Sequence, residues 1–239
     1  MAEFAVKMDP VAALRSSGRR KTPDPVAATV LAELAGADGI VAHIREERRL
    51  ILERDVRLLR QTVKSRFILE MAPVPEMVGF ALDVKPDRVT LVPPTAKVKG
   101  ADGGFDLVVQ RGPAFDAVAT LQDAGIPVGI LIDPDPDQVK LAHKTGAGRI
   151  QIHTGILHES RTDQQREKAL SSIGHAVKLA GKLRMGVGVG RGIAMGMLKY
   201  LNGIGHIHEV VMGHGVIAHA LLVGMDRAVK DAATLVHGL

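Results

Sequence analysis

Residues 128–153 read VGILIDPDPDQVKLAHKTGAGRIQIH, and they hold one complete unit of the pattern on which the chain is built. The unit opens and closes on short apolar runs, at 128–132 and 150–153, of the kind that form buried parallel strands. The more polar segment between them is long enough for a helix, and Gly146 stands where that helix should end. The segment therefore predicts a strand, a helix and a second strand parallel to the first.

The same unit recurs along the chain. Helical stretches separate eight apolar runs, at residues 4–8, 39–43, 67–70, 89–92, 128–132, 150–153, 185–189 and 209–212. Gly36, Gly125 and Gly181, like Gly146, precede a predicted strand, as glycines that cap helices do. Eight strand–helix units in 239 residues predict an α/β fold of the (β/α)8, or TIM, barrel type.

An open, doubly wound sheet is the alternative architecture. It is disfavoured because no Gly-x-Gly-x-x-Gly segment follows the first predicted strand. No linker rich in Pro, Gly or Ser divides the sequence, so we expect residues 1–239 to form a single domain.

Two segments carry specific signals of a helix. Thr162 and Gln165 have the spacing of a capping box, and one helical stripe consists of Val26, Val30, Leu31 and Leu34.

Composition excludes several kinds of protein. The absence of Cys excludes disulfides, Cys-ligated zinc, iron–sulfur clusters and Cys nucleophiles. With no Trp and one Tyr, platforms that stack nucleic-acid bases are not expected. The net charge of +5 is spread over short basic clusters, such as residues 19–21, which suits phosphorylated small molecules better than a polymer. No segment resembles a signal peptide or a membrane span, so we expect a cytoplasmic protein that binds neither nucleic acid nor membrane.

Polar side chains gather where the predicted strands end. In a (β/α)8 barrel the chemistry takes place at the carboxyl ends of the strands. Seven of the eight ends supply an ionisable or hydrogen-bonding group, and these residues are Lys7, Asp9, His43, Arg45, Glu70, Asp133, His153, Thr154, Arg191 and His214. For each residue alone, a role as a helix cap or ion-pair partner is the alternative. We expect Lys7, Glu70 and Arg191 to converge in one cavity.

Three of these groups are candidates for catalysis. Glu70 ends an apolar run, so its pKa should be raised and it could act as a base, the alternative being a structural ion pair with Lys7 or Arg45. His43 could exchange a proton near neutral pH, unless it is a buried, neutral residue bonded to the backbone. Lys7 could contact a phosphate, pair with Glu70 or act as a Schiff-base amine.

Two glycine-rich segments are candidates for anion binding. Residues 186–192 read GVGVGRG, and residues 213–215, GHG, precede a later helix. Glycine lets backbone N–H groups approach an anion, and a helix N-terminus favours negative charge. We therefore expect phosphate at Gly192, Gly213 and His214, with tight turns in a crowded barrel as the alternative.

A metal site is not expected. The remaining clustered histidines fall at the other end of the barrel or past the last helix, where surface positions are favoured, and they are His206, His208 and His237.

Several segments of the chain resemble the pyridoxine 5′-phosphate synthase family. The most specific are residues 43–49, HIREERR, and 69–72, LEMA, and shorter matches are residues 6–15, 23–25, 36–40, 54–56, 91–93, 102–104, 152–155 and 212–214. The resemblance implies a (β/α)8 barrel with extra helices that assembles as a homo-octamer. It also implies the condensation of 1-deoxy-D-xylulose 5-phosphate with 3-amino-2-oxopropyl phosphate, without a metal or an organic cofactor.

The resemblance also implies site residues. His43 and Glu70 match proton acceptors of the family. Asp9 and Arg45 match residues that bind the sugar phosphate. Gly192, Gly213 and His214 match residues that bind the amino-ketone phosphate.

The chain departs from the family at several positions of this site. Arg191 stands where the family has a proton-donating His, and arginine cannot give up its proton, although it can clamp a phosphate. Further replacements are Lys7 for Asn, Pro10 for His, Leu50 for His, Gly100 for Thr and Gln151 for Glu. We therefore expect weak or absent synthesis from the two family substrates.

Two other functions stay open. One is a diverged barrel enzyme that condenses or isomerises a related phosphate, and the other is a non-catalytic phosphate-binding or assembly protein. Unpaired charges at a barrel mouth are costly, and this disfavours the non-catalytic alternative.

Overall fold

A closed barrel of eight parallel strands forms the centre of the protein. The computed structural model describes residues 1–18, 21–94 and 103–239. Each strand pairs with its neighbours in sequence, and β8 pairs with β1 to close the ring. The strands are β1 (Glu3–Lys7), β2 (Gly39–His43), β3 (Arg66–Met71), β4 (Arg88–Leu91), β5 (Val128–Ile132), β6 (Arg149–His153), β7 (Gly186–Gly190) and β8 (Glu209–Met212). The predicted (β/α)8 architecture is confirmed.

The apolar runs located these strands closely. Three strands, β2, β5 and β8, have the predicted bounds, and the others differ by one residue at one or both ends. The register places His43 of β2 opposite Glu70 of β3, so the two side chains lie at the same height in the barrel. The register therefore fixes which polar residues meet at the carboxyl ends of the strands.

Helices surround the barrel. They are α1 (Asp9–Ser17), α2 (Pro25–Leu34), α3 (Glu53–Thr62), α4 (Pro75–Val84), α5 (Arg111–Asp123), α6 (Pro136–Lys144), α7 (Gly155–His158), α8 (Asp163–Lys182), α9 (His214–Val223) and α10 (Met225–His237), with a 3₁₀ helix at Met195–Tyr200. The predicted capping box of α8 is confirmed, because the Gln165 N–H donates to Thr162 Oγ1 at 3.2 Å and Gln165 Oε1 accepts from the Thr162 N–H. Among the described residues, no helix is long and apolar enough to cross a membrane.

Three of the four predicted glycine caps are confirmed. Gly36, Gly125 and Gly146 have φ angles of 102°, 77° and 86°, in the left-handed region that favours glycine. The prediction for Gly181 is wrong, because this residue lies inside α8. The helix closes instead at Arg184 (φ 57°), where the Met185 N–H donates to the Ala180 carbonyl and the Arg184 N–H to the Gly181 carbonyl.

Three layers of side chains fill the barrel. Because alternate strand residues face inward, residues 3, 5 and 7 of β1 mark successive layers. The lowest layer, which we call the floor, is an ion network in which Arg66 donates twice to Glu3 at 2.6 Å and Arg88 pairs with Glu209. Above it lies an apolar layer, the girdle, formed by Ala5, Val41, Ile68 and Val211. The top layer, at the mouth, contains Lys7, His43 and Glu70.

The apolar stripe of α2 faces away from the barrel. The side of α2 that packs inward carries small residues such as Ala32, while Leu31 and Leu34 are 51% and 78% exposed. Helix α10 packs against both α2 and α9, and each of these three helices carries exposed leucines. We call this set the outer apolar face, and its members are Leu31, Leu34, Leu221, Leu222 and Leu235.

Candidate active site

A cavity of about 360 Å³ opens at the carboxyl ends of the strands. All but one of the nine predicted site residues line it, and these are Lys7, Asp9, Arg45, Glu70, Arg191, Gly192, Gly213 and His214. They lie at the ends of β1, β2, β3, β7 and β8, which are consecutive strands around the closed barrel. The structure thus brings together at one mouth the groups that the strand ends predicted.

An ion cluster of Lys7, Glu70 and Arg191 crosses this mouth. Lys7 Nζ from β1 donates to Glu70 Oε2, and Arg191 Nη2, which follows β7, lies 3.7 Å from the same oxygen. Burial of Glu70 would raise the pKa of its carboxyl, but the charges of Lys7 and Arg191 outweigh burial and lower this pKa to about 2. The predicted raised pKa is therefore wrong, because two cations that lie far away in sequence reach the carboxylate. The alternative ion pair with Lys7 is present.

Asp9 is the second carboxylate of the mouth. Its Oδ2 accepts the backbone N–H of His43 at 3.1 Å, and its Oδ1 lies 4.0 Å from Lys7 Nζ. Oδ1 is buried and has no hydrogen-bond partner within the described residues. Burial raises the pKa of Asp9 above its ordinary value, with Lys7 acting in the opposite direction. The pKa of Asp9 is therefore raised, whereas that of Glu70 is lowered.

His43 is the predicted site residue that does not line the cavity. It is buried, and burial together with the nearby charge of Lys7 lowers its pKa well below the ordinary value of 6.5. The burial and the lowered pKa agree with the alternative of a buried, neutral ring, but no hydrogen bond from this ring to the backbone is among those of the described residues. Its Nδ1 has no hydrogen-bond partner in the part of the chain that the structure describes.

The turn after β7 aims Arg191 across the mouth. Arg191 and Gly192 have φ angles of 61° and 79°, so two consecutive residues are left-handed. The Thr154 hydroxyl lies between the carbonyls of Gly190 and Arg191, within hydrogen-bond distance of both, and holds the turn against β6. A left-handed conformation is costly for a residue other than glycine, and such positions cluster at functional sites.

The loops after β7 and β8 pack directly on each other. A Cβ at Gly215 would lie 2.7 Å from the Ile193 carbonyl oxygen, so only glycine fits there. Helix α9 starts at His214, and no side chain caps its N-terminus. An uncapped helix N-terminus beside Gly192, Gly213 and the Arg191 guanidinium has the electrostatics that bind a phosphate.

Unsatisfied polar atoms are concentrated in this cavity. Buried polar groups in proteins are normally hydrogen-bonded. Five buried side-chain atoms of residues that line the cavity have no hydrogen-bond partner within the described residues, and they are Asp9 Oδ1, Arg45 Nε, Glu70 Oε1, Gln151 Nε2 and Arg191 Nε. Both donors and acceptors are among them, so the cavity is suited to a polar, anionic ligand that satisfies both.

Most positions that depart from the family pattern lie at the cavity. Pro10 and Gln151 line the cavity together with Lys7 and Arg191. Leu50 packs against the core, and its carbonyl accepts from Arg15 at 2.6 Å. Gly100 lies outside the described residues.

Sequence reasoning missed His158, which lines the cavity from the end of α7. Its only signal is its position five residues after His153 at the end of β6. By contrast, three strand-end residues that the sequence placed at the mouth do not line this cavity, and they are Asp133, His153 and Thr154. Asp133 Oδ1 lies 3.6 Å from His153 Nδ1.

The structure also locates the histidines that were considered for a metal. His237 Nε2 lies 2.7 Å from Asp38 Oδ2, and His208 Nδ1 accepts the Val187 N–H. His206 is exposed and touches the His208 ring. Within residues 1–18, 21–94 and 103–239, no group of three or more His, Asp or Glu residues is placed to hold a metal ion.

A closed eight-stranded barrel with this polar mouth defines a (β/α)8-barrel enzyme. Comparison with known sequences identifies the family. The family model described as pyridoxal phosphate biosynthesis protein PdxJ matches residues 4–238. The chain belongs to this family, that of the pyridoxine 5′-phosphate synthases, as its sequence motifs predicted.

Relatives of the chain match it from end to end. It is 48% identical over 236 residues to a pyridoxine 5′-phosphate synthase of Geotalea uraniireducens, with 99% of both chains covered. It is 45% identical over 238 residues to one of Syntrophobacter fumaroxidans, with both chains fully covered.

Solved structures of low sequence identity share the fold. KGPDC from Streptococcus mutans has a TM-score of 0.66 at 15% identity, with 99% of each chain covered. Phosphoribosylanthranilate isomerase from Thermotoga maritima has a TM-score of 0.63 at 11% identity, with both chains fully covered. At these identities the likeness concerns the barrel alone.

Proposed function

We propose that this protein makes pyridoxine 5′-phosphate by condensing 1-deoxy-D-xylulose 5-phosphate with 3-amino-2-oxopropyl phosphate. The observation that carries the proposal is the set of five buried polar atoms at the mouth that have no hydrogen-bond partner among the described residues, in a chain 48% identical to a pyridoxine 5′-phosphate synthase. Leaving such atoms unsatisfied costs free energy, and a bound ligand with donors and acceptors removes this cost. Both proposed substrates carry a phosphate and a carbonyl, which supply the acceptors.

The proposed phosphate site lies between the two glycine loops. Gly192, Gly213 and His214 would surround one phosphate at the N-terminus of α9, where the helix dipole favours an anion. Arg45 and Asp9 also line the cavity, and they would hold the sugar phosphate. Arg191, next to Gly192, and Arg45 suit these two phosphate sites because the planar donors of arginine match phosphate oxygens.

Arg191 is the residue that would slow the reaction. The family pattern has a proton-donating His at this position, and an arginine holds its proton throughout the physiological pH range. General acid catalysis by a single group is typically worth about 10²–10⁴-fold in rate. We therefore expect slow synthesis by the unmodified protein.

The experiment is an assay of product with purified protein and both substrates, beside Arg191→His. We expect Arg191→His to raise kcat by at least about tenfold, because it restores a titratable acid at the mouth. Arg161→His, at an exposed position before α8, is a matched control and should change nothing. A high kcat for the unmodified protein that falls in Arg191→His would show that the arginine is the better residue.

The cations of the mouth support a second candidate. Lys7 and Arg191 both occupy places where the family pattern has uncharged or titratable residues, and both contact Glu70. A phosphorylated substrate that carries one more anionic group than the two family substrates would be complementary to Lys7 and Arg191. Phosphate binding without product from either protein would favour this candidate.

We further infer a cytoplasmic homo-oligomer. A cytoplasmic location follows from the proposed biosynthetic reaction, whose substrates are small phosphorylated metabolites. The outer apolar face supports self-association, because exposed leucines on adjacent helices are typical of subunit interfaces. The octamer implied by the family resemblance is the proposed assembly.

A further inference from the structure

A second cavity, of about 810 Å³, lies at the end of the barrel opposite the mouth. It is formed by α8, by the turn that leads into β7 and by residues 203–208, which precede β8. Chemistry in this fold takes place at the carboxyl ends of the strands, so the reaction proposed above does not use this cavity. Its volume is in the range of cavities that bind small molecules.

The titratable side chains of this cavity are cationic when ionised. They are His175, Lys178, Arg184, His206 and His208. No Asp or Glu belongs to the lining, as far as the described residues extend. Neither Lys178 nor Arg184 forms an ion pair with a described residue, whereas Arg166 on the same helix pairs with Asp163. We call this set of side chains and the space that they line the basal cavity.

The hydrogen bond of His208 fixes the position of its proton. Nδ1 accepts the Val187 N–H at 3.1 Å, so the proton of the neutral ring is on Nε2. Burial and the charges of His206 and Arg149 lower the pKa of His208, which favours this neutral form. The His206 ring contacts the His208 ring edge-on, with centroids 4.4 Å apart. The two histidines therefore add N–H donors to the two cations of the lining.

The floor of the barrel adds positive charge next to the basal cavity. Its ions are Arg66, Arg88, Arg149, Glu3 and Glu209, three cations and two anions. Arg149 Nη2 is buried and has no hydrogen-bond partner in the described part of the chain. The Arg149 side chain lies over Gly186, where a Cβ would be 2.9 Å from its Cγ, and Gly186 lines the basal cavity. The unbalanced charge of the floor is therefore adjacent to the cavity wall.

We propose that the basal cavity is a second binding site, which takes a small phosphorylated molecule. Phosphate oxygens would accept from Lys178, Arg184 and the two histidines, because these donors converge there without an acidic partner. Leu170, Val177 and Ile204 also line the cavity and would contact an apolar part of the ligand. A concave site of this size suits a small molecule better than a polymer. The proposal does not depend on the reaction at the mouth.

The first test is histidine footprinting with diethyl pyrocarbonate, with inorganic pyrophosphate as the probe. Mass spectrometry of peptides from the intact assembly gives the rate of modification of each histidine. We expect saturating pyrophosphate to slow the modification of His206 at least about fivefold, because only the unbound fraction reacts freely. His143, on α6 and outside the lining, is the internal control and should react at an unchanged rate. Equal rates at His206 with and without pyrophosphate would overturn the proposal.

The variant Lys178→Glu links protection to the basal cavity. Lys178 is exposed on α8, so the substitution should leave the fold intact. We expect the pyrophosphate concentration for half-protection of His206 to rise at least about tenfold, since an attractive charge becomes a repulsive one. Lys182→Glu, one turn later on α8 and outside the lining, is the matched control and should change it less than about twofold. An equal rise in both variants would indicate attraction to a basic surface and contradict a defined site.

Two comparisons separate the basal cavity from other anion sites. Gly215→Ala alters the loops of the mouth, so protection of His206 by pyrophosphate should be the same in this variant as in the parent. Loss of protection there would mean that the anion acts from the mouth, which refutes the second site. A single-stranded oligonucleotide that protects His206 at a lower phosphate concentration than pyrophosphate would show a surface for nucleic acid instead. None of these measurements requires that the protein form pyridoxine 5′-phosphate.

Discussion

The ion cluster at the mouth links residues that are far apart in sequence. Lys7, Glu70 and Arg191 come from β1, β3 and the turn after β7, and the Glu70 side chain is fully buried while those of Lys7 and Arg191 are 15% and 21% exposed. The folded-state pKa of Glu70, about 2, lies below its ordinary value of 4.5. Glu70 therefore stabilises the fold above about pH 4.5, and this contribution is lost as the pH falls through 4.5 toward 2.

Glu70→Gln should remove this contribution. A shift of this size corresponds to about 3 kcal/mol of stability, so the variant should be less stable by about that amount at pH 7. The difference should shrink as the pH is lowered to 3, because the unmodified protein loses the same stabilisation. Urea unfolding at several pH values measures both effects.

Glu53→Gln is the matched control. Glu53 also accepts from an arginine, Arg48, at 2.7 Å, but its side chain is 44% exposed. Exposed ion pairs contribute less than about 1 kcal/mol, so this variant should unfold almost like the parent. Equal stability of Glu70→Gln and the parent at pH 7 would show that the cluster contributes nothing to folding.

Sequence reasoning located the members of the cluster but not their electrostatics. The position of Glu70 after an apolar run predicts burial, and burial alone raises a carboxyl pKa. Which cations reach it depends on barrel closure and on the left-handed turn at Arg191, and neither leaves a local signal in the sequence. For the same reason the sequence could not show that Asp9 bonds the His43 backbone.

At the scale of elements, the loops after β7 and β8 depend on each other. The Ile193 carbonyl and the Ala194 Cα lie 2.7 Å and 3.1 Å from where a Cβ at Gly215 would be. Because these neighbours are backbone atoms, a side chain at Gly215 can be accommodated only by moving the loop after β7. The geometry of the proposed phosphate site is therefore set by the contact between the two loops.

Gly215→Ala should weaken phosphate binding. Forcing a methyl group into a tight contact typically costs about 1–3 kcal/mol, and the displaced loop carries Arg191 and Gly192. We expect inorganic phosphate, measured by calorimetry, to bind at least about tenfold more weakly. Gly196→Ala serves as the control, since a Cβ there meets nothing within 4 Å. Phosphate affinity that is unchanged in Gly215→Ala would place the anion elsewhere.

The strands were easier to predict from sequence than the orientation of the helices. A strand inside a barrel is buried on both faces, so it appears as a continuous apolar run whatever surrounds it. The stripe on α2 predicts a helix, and Pro25–Leu34 is one. The stripe does not tell whether leucines face the barrel or another subunit, since both environments select apolar residues.

At the scale of the whole molecule, the outer apolar face is the surface on which we expect copies of the chain to associate. Leu222 and Leu34 are 84% and 78% exposed, and both lie on helices that pack against α10. We expect Leu222→Lys to shift the protein toward smaller species in light scattering coupled to size exclusion. Val108→Lys, at a residue 70% exposed outside this face, should leave the mass unchanged. A parent protein that is monomeric at micromolar concentration would contradict the expectation.

The girdle of Ala5, Val41, Ile68 and Val211 separates two polar layers that serve different purposes. Below it, Glu3, Arg66, Arg88 and Glu209 neutralise one another and hold the strands in register. Above it, the cavity is lined by four of the residues by which this chain differs from its family's pattern, namely Lys7, Pro10, Gln151 and Arg191. Substitutions of the side chains above the girdle can thus alter the chemistry of the site during evolution, while the ion network below it stays unchanged. Because the girdle lies between the two polar layers, substitutions in the upper layer can change the reaction without altering the ion pairs that support the barrel.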